Sequence, residues 1–70
     1  MKILSNMSGL INEIRVKEGE TVKSGDVVAI IESMKMLVEV KSEGTGVIKK
    51  VTCQSEEFVQ EGQLLFELED

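Results

Sequence analysis

The sequence predicts an all-β fold, a sandwich or flattened barrel assembled from two copies of one strand unit. The first observation behind this is an internal repeat. Shifted along itself by 37 residues, segment 8–32 falls on segment 45–69 without a gap. Six of the 25 positions are identical: Gly9, Ile11, Glu20, Val22, Gly25 and Glu32 meet Gly46, Ile48, Glu57, Val59, Gly62 and Glu69. Other pairs keep apolar character, among them Ile14 with Val51, Val27 with Leu64, Val28 with Leu65 and Ile31 with Leu68. Two copies of a unit that cannot bury its apolar face alone are expected to bury each other's, about a pseudo-twofold axis. The second observation is apolar periodicity at strand rather than helix spacing. The third is punctuation, with glycine turns about every 8 to 12 residues between short β-rich runs.

Residues 10–17 and 47–53 are rich in β-branched side chains, and Ile14 with Val16, like Val51 with Cys53, alternate at period two toward one face. Residues 27–31 and 64–68 are short apolar runs. Each follows a turn, at Gly25-Asp26 or Gly62-Gln63, where glycine can take a positive φ. Residues 33–44 join the copies; there Met36, Val38 and Val40 alternate with Leu37, Glu39 and Lys41, as in a strand with one buried face. Glu56 stands opposite Gly19 in the repeat, so the second copy of that turn is either rebuilt or mildly strained. The expected organisation is one domain over 1–70, with repeat halves 8–32 and 45–69 and a hairpin within 33–44.

Composition excludes several function classes. Seventy residues bury only about 60% of the surface exposed on unfolding, which leaves no room for a deep substrate cleft, so the chain is not expected to be an enzyme by itself. With 8 basic against 13 acidic residues the net charge is -5, and nucleic acid is not an expected partner, because phosphate binding needs a cationic face. The two aromatics, Phe58 and Phe66, cannot form a base-stacking platform. A lone cysteine and no histidine leave no internal disulfide and none of the usual zinc ligand sets. Cys53 pairs with Val16 in the repeat and is expected in the core as a small hydrophobe. No apolar stretch approaches the roughly 20 residues that span a bilayer, and residues 1–5 are too short and too soon polar for a signal peptide. No membrane insertion is expected, and the chain reads as cytoplasmic. Lys49 and Lys50 read as a solvated strand end.

One segment carries chemistry: Glu32-Ser33-Met34-Lys35-Met36. From this chain's own composition, the pattern Glu-any-Met-Lys-Met arises by chance about 0.3% of the time, so chance is a poor explanation. Two large apolar side chains around a cation are also an odd choice for a tight turn, where Gly, Asn, Asp and Ser dominate. A bland alternative is a hairpin whose methionines fold back on the barrel. The sharper reading is that a partner recognises an exposed Met34-Lys35-Met36 and modifies the lysine.

These residues resemble the biotinyl/lipoyl attachment family, and within it the biotin carboxyl carrier branch, whose signature is a Glu-Ala-Met-Lys-Met hairpin. Met7-Ser8-Gly9 is similar to the family's entry to the first repeat, residues 16–22 to its first turn and residues 25–28 to its second, with Gly46, Val59 and Gly62 in matching places of the second half. Ser33 stands for the usual alanine, small for small, and Glu56 for a glycine. The unbroken offset leaves no space for the thumb loop of many bacterial acetyl-CoA carboxylase carriers.

The resemblance implies a flattened barrel of two antiparallel four-stranded sheets, with biotin in amide linkage to Lys35. It implies that Met34 and Met36 serve recognition by biotin protein ligase while Glu32 and Ser33 belong to the hairpin. It further implies that the biotinyl group moves a carboxyl group between biotin carboxylase and carboxyltransferase sites of a biotin-dependent enzyme. The extended lysine and valeryl chain reach roughly 12 to 14 Å at about 1.3 Å per bond. Two alternatives stand beside this: a lipoyl carrier, whose hairpins usually have aspartate before and alanine after the lysine, and an unmodified structural barrel.

Overall fold

The computed structural model describes residues 1–69. They form eight strands and no helix: β1 (Lys2–Leu4), β2 (Gly9–Ile14), β3 (Thr21–Val22), β4 (Val27–Ser33), β5 (Met36–Lys41), β6 (Gly46–Val51), β7 (Phe58–Val59) and β8 (Leu64–Glu69). Two antiparallel four-stranded sheets result, ordered β1-β8-β6-β3 and β5-β4-β2-β7. This is the expected all-β class, and the 37-residue offset runs through its architecture.

The register shows the symmetry pair by pair. Lys2 and Ile3 face Glu67 and Phe66, while Glu39 and Val40, 37 positions on, face Ile30 and Ala29. The turns repeat as well. The amide of Gly19 donates to the Ile48 carbonyl at 2.8 Å, and that of Glu56 donates to the Ile11 carbonyl at 2.7 Å. Ser5 and Ser42, both buried, each donate a hydroxyl hydrogen bond of 2.6 Å to the carbonyl two residues on, Met7 or Gly44. Buried hydroxyls need such partners, and the repeat supplies the same one twice.

The core pairs in the same way. Ile11 with Ile48, Val22 with Val59, Val28 with Leu65, Ala29 with Phe66 and Ile31 with Leu68 are all buried in one cluster. Cys53 lies there as expected, while its counterpart Val16 packs against the cluster half-buried. The apolar runs that lack alternation owe this to β-bulges. Val28 is an extra residue between the Val27 and Ala29 pairings, as Leu65 is between those of Leu64 and Phe66, so two successive side chains enter the core. Asn12 and Lys49 are the matching extra residues of β2 and β6.

Some boundaries differ from the sequence reading. β2 ends at Ile14 and β6 at Val51 rather than running to 17 and 53, because after one further backbone bond from Arg15 to Val28, or Thr52 to Leu65, the chain leaves the sheet. Residues 2–4, read only as too short for a leader, form β1 along the free side of β8.

Candidate functional site

The site grows from the longest strand pair. β4 and β5 are in register from Ile31 with Val38 through Glu32 with Leu37 to Ser33 with Met36, which leaves Met34 and Lys35 as a two-residue loop. Both hold positive φ, 52° at Met34 and 66° at Lys35. This is the type I′ arrangement, whose twist matches that of the flanking strands and which favours Asn-Gly because its residues must be left-handed. Here the chain places two long side chains in that conformation, at a cost of about 1–2 kcal/mol each. Such strain persists where the surrounding structure over-determines it, and it collects at functional sites.

The hairpin runs out beyond the core. Along the inward face of β5 burial falls off from Val40, buried, through Val38, half-buried, to Met36, which is 65% exposed. Met34 is 92% exposed. The methionines therefore do not fold back onto the barrel, and the bland reading of the hairpin fails. Lys35 is exposed, with no hydrogen-bond or ion-pair partner among the described residues. Glu32, also exposed and also without such a partner, is three residues before it. Ser33 is half-buried at the base of the turn. All five residues of the sequence motif thus belong to one protruding tip.

An open groove of about 490 Å³ runs along β1 and β5, lined by Ile3, Leu4, Asn6 and Val40 among others, and none of the five motif residues borders it. Among the described residues no group of three or more His, Cys, Asp or Glu side chains could hold a metal ion, and no helix is long and apolar enough to cross a membrane. Burial, and then the charge of Glu57, push the Cys53 thiol up from 9.0, away from the thiolate form that reacts. Lys49 and Lys50 are exposed, as expected of a solvated strand end.

Sequence reasoning missed a row beside the tip. Leu37, Glu32, Leu10 and Phe58 stand side by side across β5, β4, β2 and β7, and all four are exposed. The available signal was a departure from the repeat: Phe58 falls opposite a threonine, Thr21.

A β-barrel that presents an exposed lysine, without a side-chain partner among the described residues, on a strained two-residue turn has the form of a carrier, a scaffold for an attached group. The chain belongs to the biotin/lipoyl family, with residues 1–68 matching the family described as "Biotin-requiring enzyme". It is 37% identical over 68 residues to the biotin/lipoyl attachment protein of Bacillus subtilis (strain 168), covering 97% of this chain and 93% of that one. It is 42% identical over 65 residues to the mitochondrial propionyl-CoA carboxylase alpha chain of Homo sapiens, covering 93% of this chain but only 9% of that protein. To the biotin carboxyl carrier protein of acetyl-CoA carboxylase of Solanum lycopersicum it is 35% identical over 68 residues, covering 97% of each. The cofactor is therefore biotin, the chain is a carrier and not an enzyme, and the lipoyl alternative is disfavoured.

Proposed function

We propose that Lys35 is the residue that carries biotin, through an amide bond made by biotin protein ligase. The observation that supports this most is the turn, which spends backbone strain to hold an unpaired lysine at the tip. The residues fit a tethered group: the attachment needs one reachable amine and no binding cavity, and Lys35 supplies that. Its Nζ acts as nucleophile on the carbonyl of an activated biotinyl adenylate. The N–C bond forms as the C–O bond to AMP breaks, and one proton leaves the nitrogen. A lysine amine in water is almost wholly protonated at neutral pH, so before the attack the ligase must strip a further proton from the ammonium. Met34 and Met36 offer it flexible, polarizable contacts on either side of the amine. Glu32 and Ser33 set the base of the hairpin.

Once attached, biotin supplies the ureido nitrogen that takes a carboxyl group at a biotin carboxylase site and yields it at a carboxyltransferase site of a biotin-dependent carboxylase or decarboxylase system. The chain itself contributes tethering and local concentration. The buried, unpaired Cys53 supports a reducing compartment, and we assign the chain to the cytoplasm. The test is to treat the purified protein with biotin ligase, ATP and biotin, then digest and map the label. We expect it on Lys35 alone. Label on Lys17, Lys41 or Lys49, or acceptance by Lys35→Ala, contradicts the assignment.

A further inference from the structure

The chain carries five sulfur atoms, in four methionines and one cysteine, and the fold sorts them by access to solvent. Cys53 is buried in the core cluster, and Met7 packs against that cluster half-buried. Met1 is 44% exposed, but its sulfur lies 2.9 Å from where a Cβ on Gly44 would stand, so the side chain packs over that loop. Met34 and Met36 are the most exposed of the five, at 92% and 65%, and they flank the lysine of the tip. Neither packs on the core cluster. The tip keeps its shape through backbone alone, by the pairing of Ser33 with Met36 and the left-handed conformation of Met34 and Lys35. Chemistry on the two thioethers therefore leaves the contacts of the barrel in place. A thioether sulfur is open to peroxides at neutral pH, whereas the amine between the two is masked by its proton.

We propose that Met34 and Met36 form a reversible oxidation site, and that their conversion to sulfoxides by hydrogen peroxide withholds Lys35 from loading until a methionine sulfoxide reductase restores them. The proposal rests on the reading that Lys35 is the attachment residue and that the two methionines meet the ligase. In the oxidation a lone pair on sulfur attacks one oxygen of the peroxide. The S–O bond forms as the O–O bond breaks, and sulfur gives up two electrons. The departing hydroxide takes the proton of the transferred oxygen and leaves as water. In the reverse step two thiols of the reductase become a disulfide, sulfur regains its electron pair, and the sulfoxide oxygen leaves as water. The sulfoxide is polar where the thioether was apolar and polarizable. On the free carrier that oxygen is solvated and displaces no core contact, so the barrel keeps its stability. Loading is different. A bare lysine extends only about 6 Å, five bonds at roughly 1.3 Å each, so the enzyme that receives it must close on the tip and cover both sulfurs. Each new oxygen then loses its water against a surface shaped for an apolar side chain, and burying a polar group without a partner is costly.

The test treats the intact, unloaded protein with limiting hydrogen peroxide, removes the excess with catalase, maps sulfoxide at each methionine by mass spectrometry, and measures biotinylation by the ligase of the same cells. A portion is then reduced with methionine sulfoxide reductases and a dithiol and measured again. We expect Met34 and Met36 to be oxidised before Met7, kcat/KM to fall about tenfold or more with the thermal midpoint unchanged, and reduction to restore the rate. The double variant Met34→Leu with Met36→Leu keeps apolar volume at the tip without an oxidisable sulfur. Compared with its own untreated rate, it should be insensitive to peroxide. Oxidation of Met7 as early as of Met34, a rate within about twofold after both tip methionines are oxidised, a loss that the reductases do not restore, or an equal loss in the double variant each overturns the oxidation site while leaving Lys35 as the attachment residue. An untreated parent that takes no label at all overturns the assignment of Lys35 first, and the oxidation site with it.

Discussion

Three residues other than glycine hold a positive φ among the described residues: Met34, Lys35 and Glu56. Two of them build the hairpin tip. The third shows what the same strain looks like outside the candidate site, because Glu56, at φ 71°, keeps the conformation that Gly19 holds at 89° in the other copy of the turn. The turn was not rebuilt around glutamate. Glu56→Gly should therefore relieve about 1–2 kcal/mol of left-handed strain and lose part of that gain to unfolded-state entropy. A net stabilisation of about 0.5–1 kcal/mol is expected in a denaturant melt, and a lower midpoint would contradict it. Cys53 makes a second prediction. Its folded pKa lies above the usual 9.0, so the unfolded chain ionises first. The thiol's contribution to stability is complete below about pH 9 and is lost as pH rises through the folded value. Cys53→Val, which copies its repeat partner Val16, should flatten that alkaline decline in thermal midpoints; an equal decline in the variant would assign it to other groups.

At the scale of elements, the hairpin stands on β4, and β4 is held against β2 by a close approach. A Cβ added at Gly9 would lie 2.5 Å from the Glu32 carbonyl oxygen and 2.7 Å from a methyl of Ile31; one at Gly46 would lie 2.8 Å from the Glu69 carbonyl oxygen. Backbone cannot yield as a flexible side chain does. Gly9→Ala should destabilise by about 2–3 kcal/mol, as overpacking does, and Gly46→Ala by somewhat less. Thermal midpoints of the two variants that match the parent would show that the strands separate freely. The positions of Gly9 and Gly46 were legible from the repeat, and so were the turns at Gly25 and Gly62. The bulges were not. Burial of Val28 beside Ala29 depends on an unpaired residue in the β4–β5 ladder, and strand periodicity read from one chain has no information on the register of its neighbour. β1 escaped for a similar reason: three residues carry too little pattern, and only their pairing with β8 makes them a strand.

At the scale of the whole molecule, the shape is 34 Å long and 18 to 19 Å across, and the twofold maps the Ile31–Val38 pair below the Met34 and Lys35 turn onto Leu68 and Met1, which meet through a hydrogen bond. The symmetry is broken on the outer face of the sheet that bears the lysine. The motif itself was legible, because Glu32, Ser33, Met34, Lys35 and Met36 are contiguous in the chain. The flanking row was not, since Leu37, Glu32, Leu10 and Phe58 come together only through three strand pairings. The central claim is that the barrel exists to hold Lys35 in one fixed, protruding conformation. Neighbouring residues of a hairpin project in different directions, so moving the lysine by one position redirects its amine without changing composition. The most direct measurement compares initial biotinylation rates of the parent, the exchanged variant Met34→Lys with Lys35→Met, and a peptide spanning residues 28–42. We predict that the exchanged protein folds and is labelled at least roughly 100-fold more slowly, as a misplacement of about an ångström costs in a positioned reaction, and that the peptide is slow as well. Labelling of the exchanged protein or of the peptide as fast as the parent would contradict the account, because a linear tag would then suffice and the barrel would have no part in presenting the lysine.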